Sequence, residues 1–228
     1  MISRVPRSLA IDPYHFVERV TPWIEKHDAH GLIVTIHRHW TLSQVVSLLE
    51  GDHIDARKVA ALSLSLIGTE TCLESLCKQL RDPDPVVRQM AEHSMWCIWF
   101  RNGRSDEANS ALARGAQAFA RKDVDGAIEL FSRAIELDAG FAEAYNQRAM
   151  AHFVLESFEN SAVDCEKAVS LMPMHFGAWA GLGHCLMNLG RLKEALRCYQ
   201  QAMSINPHLE CVGELIGELR CACPPEKD

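Results

Sequence analysis

The sequence predicts an all-α chain of stacked helical hairpins. Three observations predict it. Apolar residues recur at i, i+3, i+4 and i+7 through most of the chain, the spacing of one helix face. The first half maps onto itself after a shift of 31 residues, and the second half after a shift of 34. Within the second period, small and large residues hold fixed places, as helices nesting against neighbours require.

Composition narrows the classes of function. The 228 residues are 48% hydrophobic and 23% charged, which fits a globular chain and argues against disorder. Basic residues number 23 and acidic residues 30, for a net charge of −7. A nucleic-acid or anionic-membrane binder needs a basic face, so neither partner is expected. Residues 1–104 hold 12 basic and 12 acidic side chains, whereas 105–228 hold 11 and 18. All the net acidity lies in the second half, which points to two blocks with different surfaces.

Nine cysteines, an odd number, fall inside apolar helical patterns. Cys72, Cys77, Cys165, Cys185 and Cys198 read as small buried hydrophobes, not as a secreted disulfide framework. The opening residues MISRVPRSLAIDPYHF lack an apolar segment of signal-peptide length, and the longest purely apolar stretch near them is Leu32-Ile33-Val34. A reducing, cytoplasmic location is expected.

Residues 1–40 form the least regular part, with helices expected at about 13–27 and 29–39 as a degenerate capping unit. The 31-residue shift carries Leu42, Val45 and Leu49 onto Leu73, Leu76 and Leu80. It also carries Arg57, Ala60 and Ile67 onto Arg88, Ala91 and Ile98. Two helix pairs follow, 42–50 with 54–67 and 71–80 with 85–100. Asp84 is a good N-cap, and Pro85 suits the first helical position. Gly51 and Gly68 sit where helices should stop. The segments ARKVAALSLSLIG and DPDPVVRQMAEHSMWCIW resemble HEAT-type repeats of the short variety found in phycobilin lyases. Asp82 and Arg88 fit that family's spacing, whereas Gly51 stands where the earlier unit would carry Asp.

In the second half, Pro173 and Pro207 are 34 residues apart. Reading back from Pro207 gives Trp179, Leu182, Gly183, Leu186, Ala195, Tyr199 and Ala202. This resembles the tetratricopeptide (TPR) pattern, with Leu186 where Tyr is usual. One unit earlier stand Tyr145, Arg148, Ala149, His152, Ser161, Cys165 and Ala168. One unit before that stand Ala111, Arg114, Gly115, Ala118, Ala127, Phe131 and Ala134. Three repeats are assigned, 108–141, 142–175 and 176–209, the second the loosest at His152 and Ser161. Gly115, Ala149 and Gly183 let paired helices approach, as Ala127 and Ala195 do from the partner helix. Phe131, Tyr199 and Trp179 are expected to fill the space between neighbouring pairs. Residues 210–221 read as an amphipathic helix capping the last edge, and 222–228 as a frayed tail. The whole is expected to be an α-α superhelix, a HEAT-like block (1–104) followed by a TPR block (108–221). It resembles small bacterial proteins that pair such units and have no assigned chemistry.

Between the blocks, Met95–Phe100 is apolar all round, so that turn of helix should be buried on more than one side. Either it completes the first core, or Trp96 or Trp99 docks on the following block to make one continuous superhelix.

The TPR resemblance implies a concave groove lined by the first helix of each pair. Its positions here hold Asn109, Leu112, Ala116, Phe119 and Ala120, then Glu143, Asn146, Met150, Phe153 and Val154. The third repeat adds Gly177, Ala180, His184, Met187 and Asn188. The set is mostly apolar, rich in Met and Phe, and suits an apolar peptide or helix of a partner protein. The alternative is that Phe119, Phe153 and Met187 pack between helices. TPR co-chaperones clamp an acidic chaperone tail with Lys, Asn, Asn, Lys and Arg. This chain has Leu112, Ala116, Gln147, Gly177 and Gly181 there, without charge, so such tails are not expected as partners.

No metal or cofactor is expected. His27 and His30, His37 and His39, Cys72 and Cys77, and Cys221 and Cys223 fit no metal-binding spacing. The N-terminal histidines are expected to be solvated or hydrogen-bonded. No nucleophile elbow or phosphate loop is present, and Gly181-Leu182-Gly183 falls inside a helix. Asp123 and Asp125 fall in a turn. The reading is therefore a non-catalytic interaction adaptor. Its alternatives are a self-associating structural subunit and a protein handling tetrapyrroles as the phycobilin lyases do.

Overall fold

A computed structural model describes residues 11–222. Among them, helix is the only regular structure, with thirteen α-helices and two short 3-10 turns. The all-α expectation holds. The chain divides into two compact units, Met1–Ile98 and Trp99–Asp228.

The first unit opens with α1 (Pro13–Glu25) and α2 (Ala29–His39). Asp12 caps α1 by accepting from the Tyr14 N–H, and Asp28 caps α2 by accepting from the Gly31 N–H. The two helices approach closely at Gly31, where a Cβ would stand 2.3 Å from the Trp23 ring. Next come α3 (Leu42–Ser47), which tightens into a 3-10 turn at Leu48–Glu50, and α4 (Ile54–Ile67). Thr41 and Gln44 close a capping box on α3. After a 3-10 turn at Glu70–Cys72 come α5 (Leu73–Gln79) and α6 (Pro85–Phe100). The expected helix 71–80 therefore begins as 3-10. Asp84 caps α6 through the Val86 and Val87 N–H groups. Lys58, 3.0 Å away, holds the Asp84 carboxyl below the usual carboxylate range.

The 31-residue period is visible in the packing and in the bonds. Val45 and Leu76, Leu49 and Leu80, and Ala60 and Ala91 are buried pairs. Arg57 donates to the Gly51 carbonyl, and Arg88 donates to the Asp82 carbonyl. Asp82 also reaches across to Arg57, with Nε to Oδ2 at 2.7 Å. Glycine at 51 offers no such carboxylate, so the pairing forms one rung. Both Gly51 and Gly68 end helices, but with extended backbone at φ −81° and −67°. Gly68 is required for room, since a Cβ there would lie 2.8 Å from Ile98 Cδ1.

The second unit holds three antiparallel hairpins: α7 (Asp106–Ala120) with α8 (Val124–Leu137), α9 (Ala142–Val154) with α10 (Phe158–Leu171), and α11 (Phe176–Asn188) with α12 (Leu192–Ile205). The closing helix α13 (Glu210–Ala222) buries Val212 and Leu219 and packs on α12. The tail expected to fray lies outside the described residues from 223 onward, as does Cys223. Each hairpin turn places one residue in the left-handed region: Lys122 (φ 66°), Glu156 (φ 56°) and Gly190 (φ 73°).

Trp179 packs against Ala168 and Val169 of α10, between neighbouring hairpins as expected, and Phe131 and Tyr199 share cores with the adjoining pair while also closing on a glycine inside their own hairpins. A Cβ on Gly115 would stand 2.5 Å from the Phe131 ring, and one on Gly183 2.5 Å from the Tyr199 ring. Both rings are fully buried. Trp179 is only partly buried, and its indole N–H donates to the Pro173 carbonyl at 2.9 Å. The second repeat departs from the pattern for a physical reason. Ser161 donates to the Ala149 carbonyl at 2.7 Å, and the Cys185 sulfur sits 3.0 Å from the same hydroxyl. That hairpin is joined by a hydrogen bond in place of a methyl contact.

Asp82→Ala is expected to lower the stability of the first unit by about 2 kcal/mol, because the part-buried Arg57 guanidinium loses its carboxylate and keeps only the Gly51 carbonyl. Urea unfolding followed by circular dichroism measures this.

Candidate functional site

The first helices of the hairpins, α7, α9 and α11, are neighbours in the second unit. They carry the residues predicted to line a groove, and the structure sorts these into two groups. Four are taken up by internal contacts. Leu112 is fully buried. Asn109 holds the chain before α7, its amide bonding both the N–H and the carbonyl of Gly103 at 3.0 Å. Glu143 and Asn146 are buried and bonded to each other. Leu112, Glu143 and Asn146 offer a partner no free side-chain surface, and Asn109 is only partly accessible. The reason is that polar side chains next to a helix start find local backbone and amide partners.

The remainder is accessible in part. Met150 is 46% exposed and Val154 56%, on the same helix one turn apart. Ala116, Phe119, Ala180 and Met187 are partly buried, and Asn188 and Ala120 are exposed. Phe153 stands edge-on to Phe158 at 5.3 Å and packs against the core around Leu182 and Tyr199. His184 is bound at Nδ1 to the Tyr199 hydroxyl at 2.8 Å. Burial holds the His184 ring below the ordinary histidine value, and pushes the Tyr199 hydroxyl up. His152, on α9, is likewise lowered, first by burial, against an opposing pull from Asp164.

Glu143 is the centre of a buried polar cluster that sequence reasoning missed. Its carboxylate accepts from Gln147 at 2.6 Å and from Asn146 at 3.3 Å, and lies 2.7 Å from His175 Nε2. His175 caps α11, its Nδ1 accepting from the Ala178 N–H at 3.1 Å. With Nδ1 accepting, the ring proton is assigned to Nε2, which donates to Glu143. Trp99 lies flat on the His175 ring at 4.0 Å and edge-on to Phe176 at 5.2 Å. Trp99 therefore packs within the second unit, to which it belongs. The apolar run around Trp99 was the available signal; His175 gave none, because a helix-capping histidine looks like any turn residue.

A second polar set lies between the hairpins. Arg148 forms a two-pronged ion pair with Asp164 at 2.7 and 2.8 Å and donates to Ser132 at 3.0 Å. Hydrogen bonding to Cys185 and burial push the Cys165 thiol up, and burial pushes Cys198 up to about 11. The bond that raises Cys165 pulls its partner Cys185 the other way, down to about 7. Among the described residues, no cluster of three or more His, Cys, Asp or Glu is placed to hold a metal ion, and no helix is long and apolar enough to cross a membrane.

Residues 177–209 match the profile of the tetratricopeptide repeat family. The match covers the third of the three repeats that the 34-residue period assigns. A TPR repeat-containing protein of Rhizobium etli is 29% identical over 136 residues, which is 59% of this chain and 66% of that protein. Small glutamine-rich tetratricopeptide repeat-containing protein 2 of Mycosarcoma maydis is 31% identical over 104 residues, 46% of this chain and 30% of that protein. The chain thus spans less than two thirds of either relative. Two solved TPR structures share the fold, each with a TM-score of 0.51 at 24% identity over 52% of this chain. They are the first TPR of Spaghetti bound to an HSP90 peptide, of which 94% is covered, and the Arabidopsis OM64 TPR domain, of which 98% is covered.

Acid is expected to weaken the second and third hairpins. The folded His152 and His184 rings resist protonation, so below the ordinary value of 6.5 the unfolded chain takes up protons first and is favoured. Urea midpoints should be level from pH 8 to about 7 and fall as the pH drops through the 6.5 value, and His152→Gln with His184→Gln should flatten that fall.

Proposed function

We propose that this chain is a non-catalytic interaction adaptor whose TPR unit takes an apolar peptide or helix of a partner protein along α7, α9 and α11. One observation carries the reading. Met150 and Val154 stand exposed on α9, whereas Phe119, Phe153 and Met187 are partly buried and pack against the hairpin cores. Side chains of that kind leave water with gain only if another apolar surface covers them. Methionine adapts its shape to different partners. The relatives support the class, since one solved neighbour is described as bound to a peptide.

The partner is not an acidic chaperone tail. The positions that clamp such a tail in TPR co-chaperones hold Leu112, Ala116, Gln147, Gly177 and Gly181 here. Leu112 is buried, and the Gln147 amide is already bonded to a carboxylate of this chain, Glu143. A reducing, cytoplasmic setting belongs to the same proposal, because Cys72, Cys165, Cys185 and Cys198 are buried free thiols. So does the assignment of residues 1–104 to HEAT-like repeats, supported by the 31-residue recurrence of the Arg57 and Arg88 contacts.

Met150→Glu and Val154→Glu test the reading, since both side chains are exposed and the fold should survive. Partners recovered with the parent protein from a cell extract should be lost with either variant, while thermal unfolding stays within about 0.5 kcal/mol of the parent. Recovery of the same partners by both variants refutes the groove.

A further inference from the structure

The α1–α2 hairpin of the first unit holds a cation cluster that the adaptor reading leaves unused. Arg19 lies between two imidazoles: its Nε donates to His15 Nε2 at 3.1 Å, and its Nη1 lies 3.2 Å from His39 Nε2. Arg38 and His39 end α2. Arg19, Arg38, His39 and Thr35 line an open cleft of about 400 Å³, with Trp23 and Val34 as its apolar part. Glu18 also lines the cleft, yet among the described residues neither arginine forms an ion pair with a carboxylate. The positive potential is felt locally. Desolvation, then the charges of Arg19, Arg38 and His15, hold His39 below its ordinary value. Two guanidinium groups that share a cleft with one carboxylate and an aromatic wall leave a local positive excess, unusual in a chain of net charge −7.

We propose that this cleft binds a phosphate monoester, its phosphoryl group held by Arg19 and Arg38 and its carrier resting on Trp23 and Val34. Two guanidinium groups and an imidazole that gains a proton supply more positive charge than a single carboxylate neutralises. A phosphate dianion matches it and offers three acceptor oxygens to planar donors. Trp23 and Val34 give an apolar carrier a surface that a free anion does not use. Bound phosphate also favours the protonated form of His39, whose facing charges are Arg19 and His15 from α1, Arg38 from its own helix, and Glu18 in the cleft wall.

The test titrates the full chain with phenyl phosphate, benzoate and inorganic phosphate in turn, following the ring resonances of His15 and His39 by NMR. Phenyl phosphate should give saturable shifts, with His39 moving toward its protonated position, and should bind more tightly than either other probe. Arg38→Ala should weaken it about tenfold or more, the loss of one charge-assisted contact. Glu18→Gln should tighten it. Circular dichroism confirms that both variants fold. Shifts that do not saturate, benzoate or inorganic phosphate binding as tightly as phenyl phosphate, or an unchanged affinity in Arg38→Ala overturn the proposal.

Discussion

The second unit depends on one steric constraint, an aromatic ring laid against a glycine across each of two hairpins. Phe131 meets Gly115 and Tyr199 meets Gly183, both so close that a Cβ at the glycine would overlap the ring. That contact sets the distance between paired helices, and the pairing sets where the first helices stand. The middle hairpin reaches the same geometry differently, through Ser161 and the Ala149 carbonyl. A hydrogen bond is directional where a ring contact is not, so the loosest repeat in sequence is held by a more specific bond.

Satisfying buried polar groups is the second organising demand. Glu143 sits at a position that the repeat pattern assigns to the groove, but its carboxylate is enclosed by Gln147, Asn146 and His175. An isolated buried charge is very costly, and three donors with a stacked Trp99 offset that cost. The same arrangement uses up the amide that could have served a partner's carboxylate. Met150 and Val154 are exposed apolar side chains of the same helix.

Much of the fold was legible in the sequence because its causes are local. The helix cap at Asp84, the apolar spacing of each helix, and the closing helix α13 follow from neighbours a few residues apart, whereas Asp123, read as a turn residue, caps α8. The candidate site was less legible. Leu112, Glu143 and Asn146 share the groove register with Met150 and Val154, and spacing alone gives all five the same status. Their exposure differs because it is set by what lies opposite each of them.

The sequence by itself determined an all-α chain of helical hairpins, since periodicity and the small–large alternation act within one hairpin. Only the tertiary structure decided which way the aromatics faced, where Trp99 packs, and which side chains stay open to solvent. Trp99 on His175, and His175 on Glu143, join residues far apart along the chain. Such contacts depend on how helices meet in space, and neither composition nor period encodes that meeting.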